Sequence, residues 1–129
     1  MLAYLWVAMG GALGSLCRFW VAGLIPRSDT SFPWGILVIN ITGSFLIGMF
    51  AALNRSDGRM GASPSFQQFF MTGICGGYTT FSAFSLDTLR ALQHGQVLYA
   101  GGNVILSVTL CLIAVWLGYV AGGILNSFR

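Results

Sequence analysis

The residues of this chain best suited to chemistry lie in Gly73-Ile-Cys-Gly-Gly-Tyr-Thr-Thr-Phe-Ser-Ala-Phe84. Glycines, two threonines, a serine and two phenylalanines three positions apart interrupt a sequence otherwise suited to lipid. Backbone that leaves the helix at membrane depth bares N–H and C=O groups that hydrocarbon cannot satisfy. It is tolerated only where protein buries it or where it lines a cavity. The carbonyls freed around Gly76-Gly77 and Thr79-Thr80 are hard, neutral oxygens that suit an alkali cation such as sodium, as at the half-helix ends of broken transporter helices. Phe81 and Phe84 share one face of a helix that resumes after the break. Their rings have positive edges, and ring edges together with hydroxyl and amide donors suit a small anion that has lost water. An isolated Phe-x-x-Phe reads as a core pair; beside a polar break it reads as part of an ion site.

Other polar residues within apolar stretches are candidates to join it. Asn40 lies in Leu37-Val-Ile-Asn-Ile-Thr-Gly43, and its amide offers both donors and an acceptor. It either ties two helices together or donates to an anion. Arg18 lies about 10 Å of helix before the end of its span, at a rise of about 1.5 Å per residue. It either snorkels to the interface or takes a structural or vestibule role, since charges within the membrane tend to be functional. Cys17, Cys75 and Cys111 are widely spaced and read as small packing residues. They form no Cys-x-x-Cys pair and have no histidine cluster, which argues against zinc or redox chemistry. The lone His94 reads as a helix-end residue.

The elements that must hold these residues are membrane helices. Of 129 residues, 56% are hydrophobic and 7% charged, where soluble domains carry about 25% charged residues. Mean hydropathy is +0.79. The six cations are all arginine, there is no lysine or glutamate, and the acids are Asp29, Asp57 and Asp87. A net charge of +3 spread this thinly makes no basic patch, so nucleic acid is not an expected partner. Four spans can be drawn: about 2–25, 34–53, 65–92 with a break near 76–80, and 97–125. Each is long enough to supply the roughly 20 residues that a bilayer core needs. The third is polar enough in its middle to score weakly as a span. The expected fold is therefore a single all-α integral membrane domain, with four transmembrane helices and the third broken mid-membrane near Gly76-Gly77, resuming around Phe81. The first span lacks a basic leader and contains Gly10, Gly11 and Gly14, unlike a cleaved signal peptide.

Helix packing and orientation leave their own marks. Gly10-xxx-Gly14, Ser44-xxx-Gly48 and Gly118-xxx-Gly122 are small-residue spacings that let backbones approach closely. With four spans, Arg55, Arg59 and Arg129 share one side, while Arg27 and Arg90, with Arg18 near that end, lie toward the other. Positive charge sets orientation, and here it is nearly balanced, so insertion either way up and antiparallel pairing of two copies are expected.

Asn40 with Gly43, the run Gly76-Gly-Tyr-Thr-Thr-Phe-Ser-Ala-Phe-Ser85, the Gly14-xxx-Arg18 element and the four-span length resemble the Fluc/CrcB fluoride channels. The resemblance covers essentially the whole chain. It implies an antiparallel, dual-topology homodimer in a bacterial plasma membrane, with two fluoride pores and a structural sodium ion at its centre. Phe81, Phe84 and Asn40 match the family's pore-lining positions, with Thr80 and Ser82 polar positions close by. Gly76 and Thr79 match the positions whose backbone carbonyls hold sodium. The chain departs from the family at Tyr78, often Leu, at Ala83, often Thr, and at Ile36, often Thr. Ser107 and Thr109 on the fourth span are candidate replacements for the two missing hydroxyls. A proton-coupled drug transporter of similar length would need a membrane-embedded acid, for which Asp87 is the sole candidate; a non-transporting scaffold would leave the break unexplained.

The balanced arginines carry a prediction. Single cysteine tags at the two termini, in a cysteine-free background, react in part from either face with a membrane-impermeant reagent. Labelling from one face alone would contradict insertion in both orientations.

Overall fold

In lipid each backbone polar group needs an internal partner, so an apolar chain of this kind is driven into helices. The computed structural model describes residues 2–25, 32–55, 58 and 60–128, and among them there is helix and no strand. The polar stretch Pro26-Arg27-Ser28-Asp29 and the residues Asp57, Arg59 and Arg129 lie outside the described residues. The elements are α1 (Leu2–Leu24), α2 (Trp34–Leu53), α3 (Pro64–Gln67), a wider π-helical stretch (Gln68–Cys75), α4 (Gly76–Tyr78), α5 (Phe81–Gln93) and α6 (Val97–Ser127). Helices α1, α2 and α6 are each long and apolar enough to cross a membrane. The third span is the composite of α3 through α5. Large side chains such as Phe19, 81% exposed, and Leu98, 92% exposed, face outward, where lipid rather than water is their solvent. The chain is a multi-pass integral membrane protein.

Local chemistry explains the ends of these elements. Ser63 caps α3, its hydroxyl accepting from the Phe66 N–H at 3.3 Å, and Pro64 follows at the first helical position, where its missing N–H costs nothing. Helix α5 ends at Gly95, whose φ of +71° is the left-handed conformation that glycine adopts without strain. The Gln96 N–H then returns to the Ala91 carbonyl at 2.8 Å and the Gly95 N–H to Leu92 at 3.0 Å, a Schellman closure.

Two backbone-to-backbone seams hold the spans together, and glycine makes both possible. Along the first, α1 runs parallel to the third span: Gly10 faces Phe69 and Gly73, Gly14 faces Ile74 and Tyr78, and Gly77 faces Gly11. A β-carbon at Gly77 would lie 2.6 Å from the Gly11 carbonyl oxygen. Along the second, α2 runs parallel to α6: Gly118 faces the Phe45 carbonyl, Gly122 faces Met49 and Ala52, and Gly48 faces Val115. Among helices α2 and α6 form the most extensive interface. Between lipid-exposed helices there is little hydrophobic drive to associate, so close van der Waals approach takes its place. The three small-residue spacings of the sequence thus belong to two specific seams.

The break falls at the C-terminal end of the expected 76–80 stretch, past the glycines, and the helix resumes at Phe81 as expected. Gly76 and Gly77 remain helical, as α4, because Gly77 is used for close approach to α1. The chain leaves the helix at Thr79 and Thr80, with ψ of 159° and 112°. Helix geometry is already loosened before that, since Gln68–Cys75 winds with the wider π repeat, a feature that often accompanies functional sites.

The seams generate a paired prediction. Gly118→Val drives a branched side chain into rigid backbone and lowers stability in detergent by about 1–3 kcal/mol or more, the cost of overpacking. Gly123→Val, one residue after the seam glycine Gly122 and with nothing within 4 Å, is tolerated. Thermal unfolding of the two proteins checks this, and equal effects would contradict the assignment of the seam.

Candidate functional site

Thr79 and Thr80 are extended, so the backbone groups of Thr80 need partners from outside the helix ladder. Asn40 on α2 supplies both partners for Thr80. Its Oδ1 accepts from the Thr80 N–H at 2.8 Å, and its Nδ2 donates to the Thr80 carbonyl at 3.1 Å. The Thr80 N–H can only donate, so the orientation of the Asn40 amide follows from the network itself. Of the two roles open to Asn40 in the sequence, the structure fills the first, a tie between helices. One amide hydrogen of Nδ2 is left over, and Asn40 also lines the cavity described below.

This clamp frees specific carbonyls. In an unbroken helix the Thr80 N–H would bond Gly76, and the Ala83 N–H would bond Thr79. Instead Thr80 N–H goes to Asn40, and Ala83 N–H goes to the Thr80 hydroxyl at 3.1 Å, which caps α5. The Gly76 and Thr79 carbonyls therefore lose their usual helical donors. The Thr79 N–H and hydroxyl both donate to the Cys75 carbonyl, at 3.0 and 2.9 Å. Gly43 makes room for this: a β-carbon there would overlap the Thr79 methyl and press on the Tyr78 ring.

The break borders a cavity of about 480 Å³ between α2, the third span and α6. Asn40, Gly43 and Ser44 line it from α2; Gly76, Thr79, Thr80, Phe81 and Phe84 line it from the third span. Helix α6 adds Ser107, Cys111 and Val115. The Phe81 and Phe84 rings lie 5.2 Å apart at an interplanar angle of 47°, so the helical spacing does place them together. Phe84 is buried, whereas Phe81 is 77% exposed. Ser82 is exposed and does not line the cavity, although its hydroxyl is 3.3 Å from that of Thr80. Arg18, half buried on α1, also lies outside the cavity lining.

A second polar group emerges on α6. Asn103, 2% exposed, donates through Nδ2 to the Thr88 hydroxyl at 2.8 Å, and Thr88 donates to the Phe84 carbonyl at 2.9 Å. The Ser107 hydroxyl points to Asn103 Oδ1 at 3.3 Å. The relay runs Ser107, Asn103, Thr88, Phe84, and it joins α6 to α5 beside the phenylalanine pair. Of the two α6 hydroxyls considered from sequence, Ser107 is buried at the cavity and Thr109 is exposed. Asn103 was missed, although it gave the same signal as Asn40, a single amide in an apolar span. Thr42 was missed as well; its hydroxyl is 2.9 Å from that of Tyr78. Asp87 lies apart from the large cavity, at a small one of about 40 Å³ with Ile36 and Trp34, and its Oδ1 is 3.9 Å from Arg90 Nη1.

The family model described as CrcB-like protein, Camphor Resistance (CrcB), matches residues 5–119. The chain is 57% identical over 126 residues to a protein of Rhodospirillum rubrum named "Fluoride-specific ion channel FluC", covering 97% of this chain and 98% of that one. It is 52% identical over 130 residues to a protein of the same name from Opitutus terrae, covering 100% and 98%. A third, from Paramagnetospirillum magneticum, is 52% identical over 127 residues, covering 98% and 99%. These matches span nearly the whole chain, and the chain belongs to the CrcB-like protein family.

Proposed function

We propose that this chain is a fluoride-selective channel of the plasma membrane, one that lets fluoride leave the cytoplasm passively and keeps its internal concentration low. Support comes first from relatives named as fluoride-specific ion channels; this is a family of channels, not of enzymes. The single observation that carries the reading is the clamped break. Asn40 holds Thr80 at the wall of a cavity that also contains the Phe81 and Phe84 rings.

Fluoride is small and strongly hydrated, so a selective pathway must replace water with close donors yet bind weakly enough for release. The remaining Asn40 amide hydrogen, the positive edges of Phe81 and Phe84, and the hydroxyls of Thr80 and Ser82 are such donors. Ser107 borders the same cavity, with its proton directed toward Asn103. Passage would need no chemical step, only the fluoride gradient and the membrane potential.

The carbonyls of Gly76 and Thr79 suit a structural sodium ion. They are neutral, hard oxygens whose usual helical donors are diverted to Asn40 and Thr80. Sodium bound there would lock the break without moving with fluoride. Two oxygens are a small share of an alkali cation's shell, so a second copy supplying the same two makes a better site. That argument and the balanced arginines favour an antiparallel homodimer in which the two copies cover each other's open cavities. Arg18, near a span end, would then serve a structural or vestibule role.

The experiment is fluoride release from liposomes followed with an ion-selective electrode. Wild-type protein releases fluoride and not chloride, with no need of a sodium gradient. Phe81→Ile or Phe84→Ile keeps apolar bulk and removes the ring edges, lowering fluoride flux at least about tenfold while the protein remains folded; a tenfold change corresponds to about 1.4 kcal/mol. Asn40→Asp keeps an acceptor for the Thr80 N–H but loses the donors, and also blocks. Equal chloride and fluoride release, or full flux in all three variants, would refute this pathway. Flux reversed by a sodium gradient alone would mean coupled transport.

A further inference from the structure

Thr42 lies two residues after Asn40, outside the large cavity, and its hydroxyl holds a second tie to the broken span. The one hydroxyl proton of Thr42 is directed at the carbonyls of its own helix, 2.8 Å from Val38 and 3.1 Å from Ile39. With that proton so engaged, Thr42 Oγ1 accepts from the Tyr78 hydroxyl, 2.9 Å away. Tyr78 is the last residue of α4 and directly precedes Thr79. Three neighbours on α2 therefore fix three consecutive residues of the third span. Thr42 holds Tyr78, Gly43 receives the Thr79 methyl, and Asn40 holds both backbone groups of Thr80.

We propose that Tyr78 and Thr42 form a positioning pair for the cation site, fixing the direction of the Thr79 carbonyl; this rests on the sodium reading above. Asn40 holds both peptide groups that flank Thr80, and the first of them carries the Thr79 carbonyl in the same plane as the Thr80 N–H; the Tyr78 hydroxyl holds the residue before Thr79. With both in place, the Thr79 carbonyl between them has little freedom to rotate. Without the hydroxyl, the ring still packs at Gly43 but can slide along α2, and the carbonyl loses one of its two anchors. The pair acts through Thr79 and does not itself touch the ion.

The test is thermal unfolding of the purified full-length protein in detergent, titrated with sodium chloride against an organic-cation chloride at constant ionic strength. Wild-type protein melts higher as sodium rises and then saturates. Tyr78→Phe and Thr42→Val each raise the half-saturating sodium concentration about three- to tenfold, the range that one neutral hydrogen bond supplies. At saturating sodium both approach the wild-type melting temperature. Thr42→Ser keeps the acceptor and behaves as wild type, and the double variant Tyr78→Phe/Thr42→Val is no weaker than either single one. A loss of melting temperature that is the same with and without sodium would make the pair merely structural and overturn the proposal. So would an unchanged sodium response in both single variants. A wild-type protein indifferent to sodium would instead remove the sodium reading itself, and this inference with it.

Discussion

Everything at the centre of this protein depends on satisfying the backbone of one residue, Thr80, at membrane depth. An unpaired peptide group in hydrocarbon costs several kcal/mol, enough to prevent a helix from opening there. Asn40 removes that penalty with two hydrogen bonds to Thr80. The consequences follow in order. The diverted N–H groups leave the Gly76 and Thr79 carbonyls without their helical donors, the Thr80 hydroxyl caps the helix that restarts, and Phe81 and Phe84 begin that helix with both rings at the cavity. A single amide on a neighbouring helix converts a helix defect into a built site.

The clamp works only if α2 and the third span keep a fixed distance, and the glycine seams are what fix the frame. Gly118 and Gly122 lock α6 against α2 through main-chain contact, while Gly10, Gly14, Gly73 and Gly77 lock α1 against the third span. Contacts between backbones have no rotamers to relax, so their geometry is stiffer than that of a core of long side chains. Where α2 meets the break itself, by contrast, the contacting residues are polar or small, Asn40, Thr42 and Gly43; further along α2, Phe50 stacks on Phe70 with ring centroids 4.5 Å apart. The division is physical. Apolar close packing sets the frame, and hydrogen bonds set the site within it.

Under the proposed reading, the large cavity is part of a pathway completed by another copy. Its lining mixes apolar walls with a few polar groups, most of them already engaged on one side. Asn40 has one hydrogen left and Thr80 shares its hydroxyl with Ser82 and Ala83, while Ser107 leans on Asn103. The remaining Asn40 amide hydrogen is oriented but uncommitted, which suits an ion that must be held briefly and released.

The sequence by itself determined the class and the number of spans. Composition excludes a soluble core, the hydrophobic runs set four helices, and the Gly-Gly-Tyr-Thr-Thr-Phe run marks where one of them must fail. The pairing of Phe81 with Phe84 was legible too, since helical spacing alone puts them on one face. Only the tertiary structure decided that the break falls at Thr79-Thr80 rather than at the glycines. Glycine signals freedom, but whether that freedom is used to break a helix or to approach a neighbour depends on what lies opposite, and Gly11 lies opposite Gly77. The role of Asn40 was undecided for the same reason, because an amide's partner forty residues away is set by helix packing. Asn103, Thr88 and the Thr42–Tyr78 bond likewise arise from contacts between helices. Hydropathy and periodicity report what each helix is; which polar groups meet is fixed by the distances at which backbones can pack.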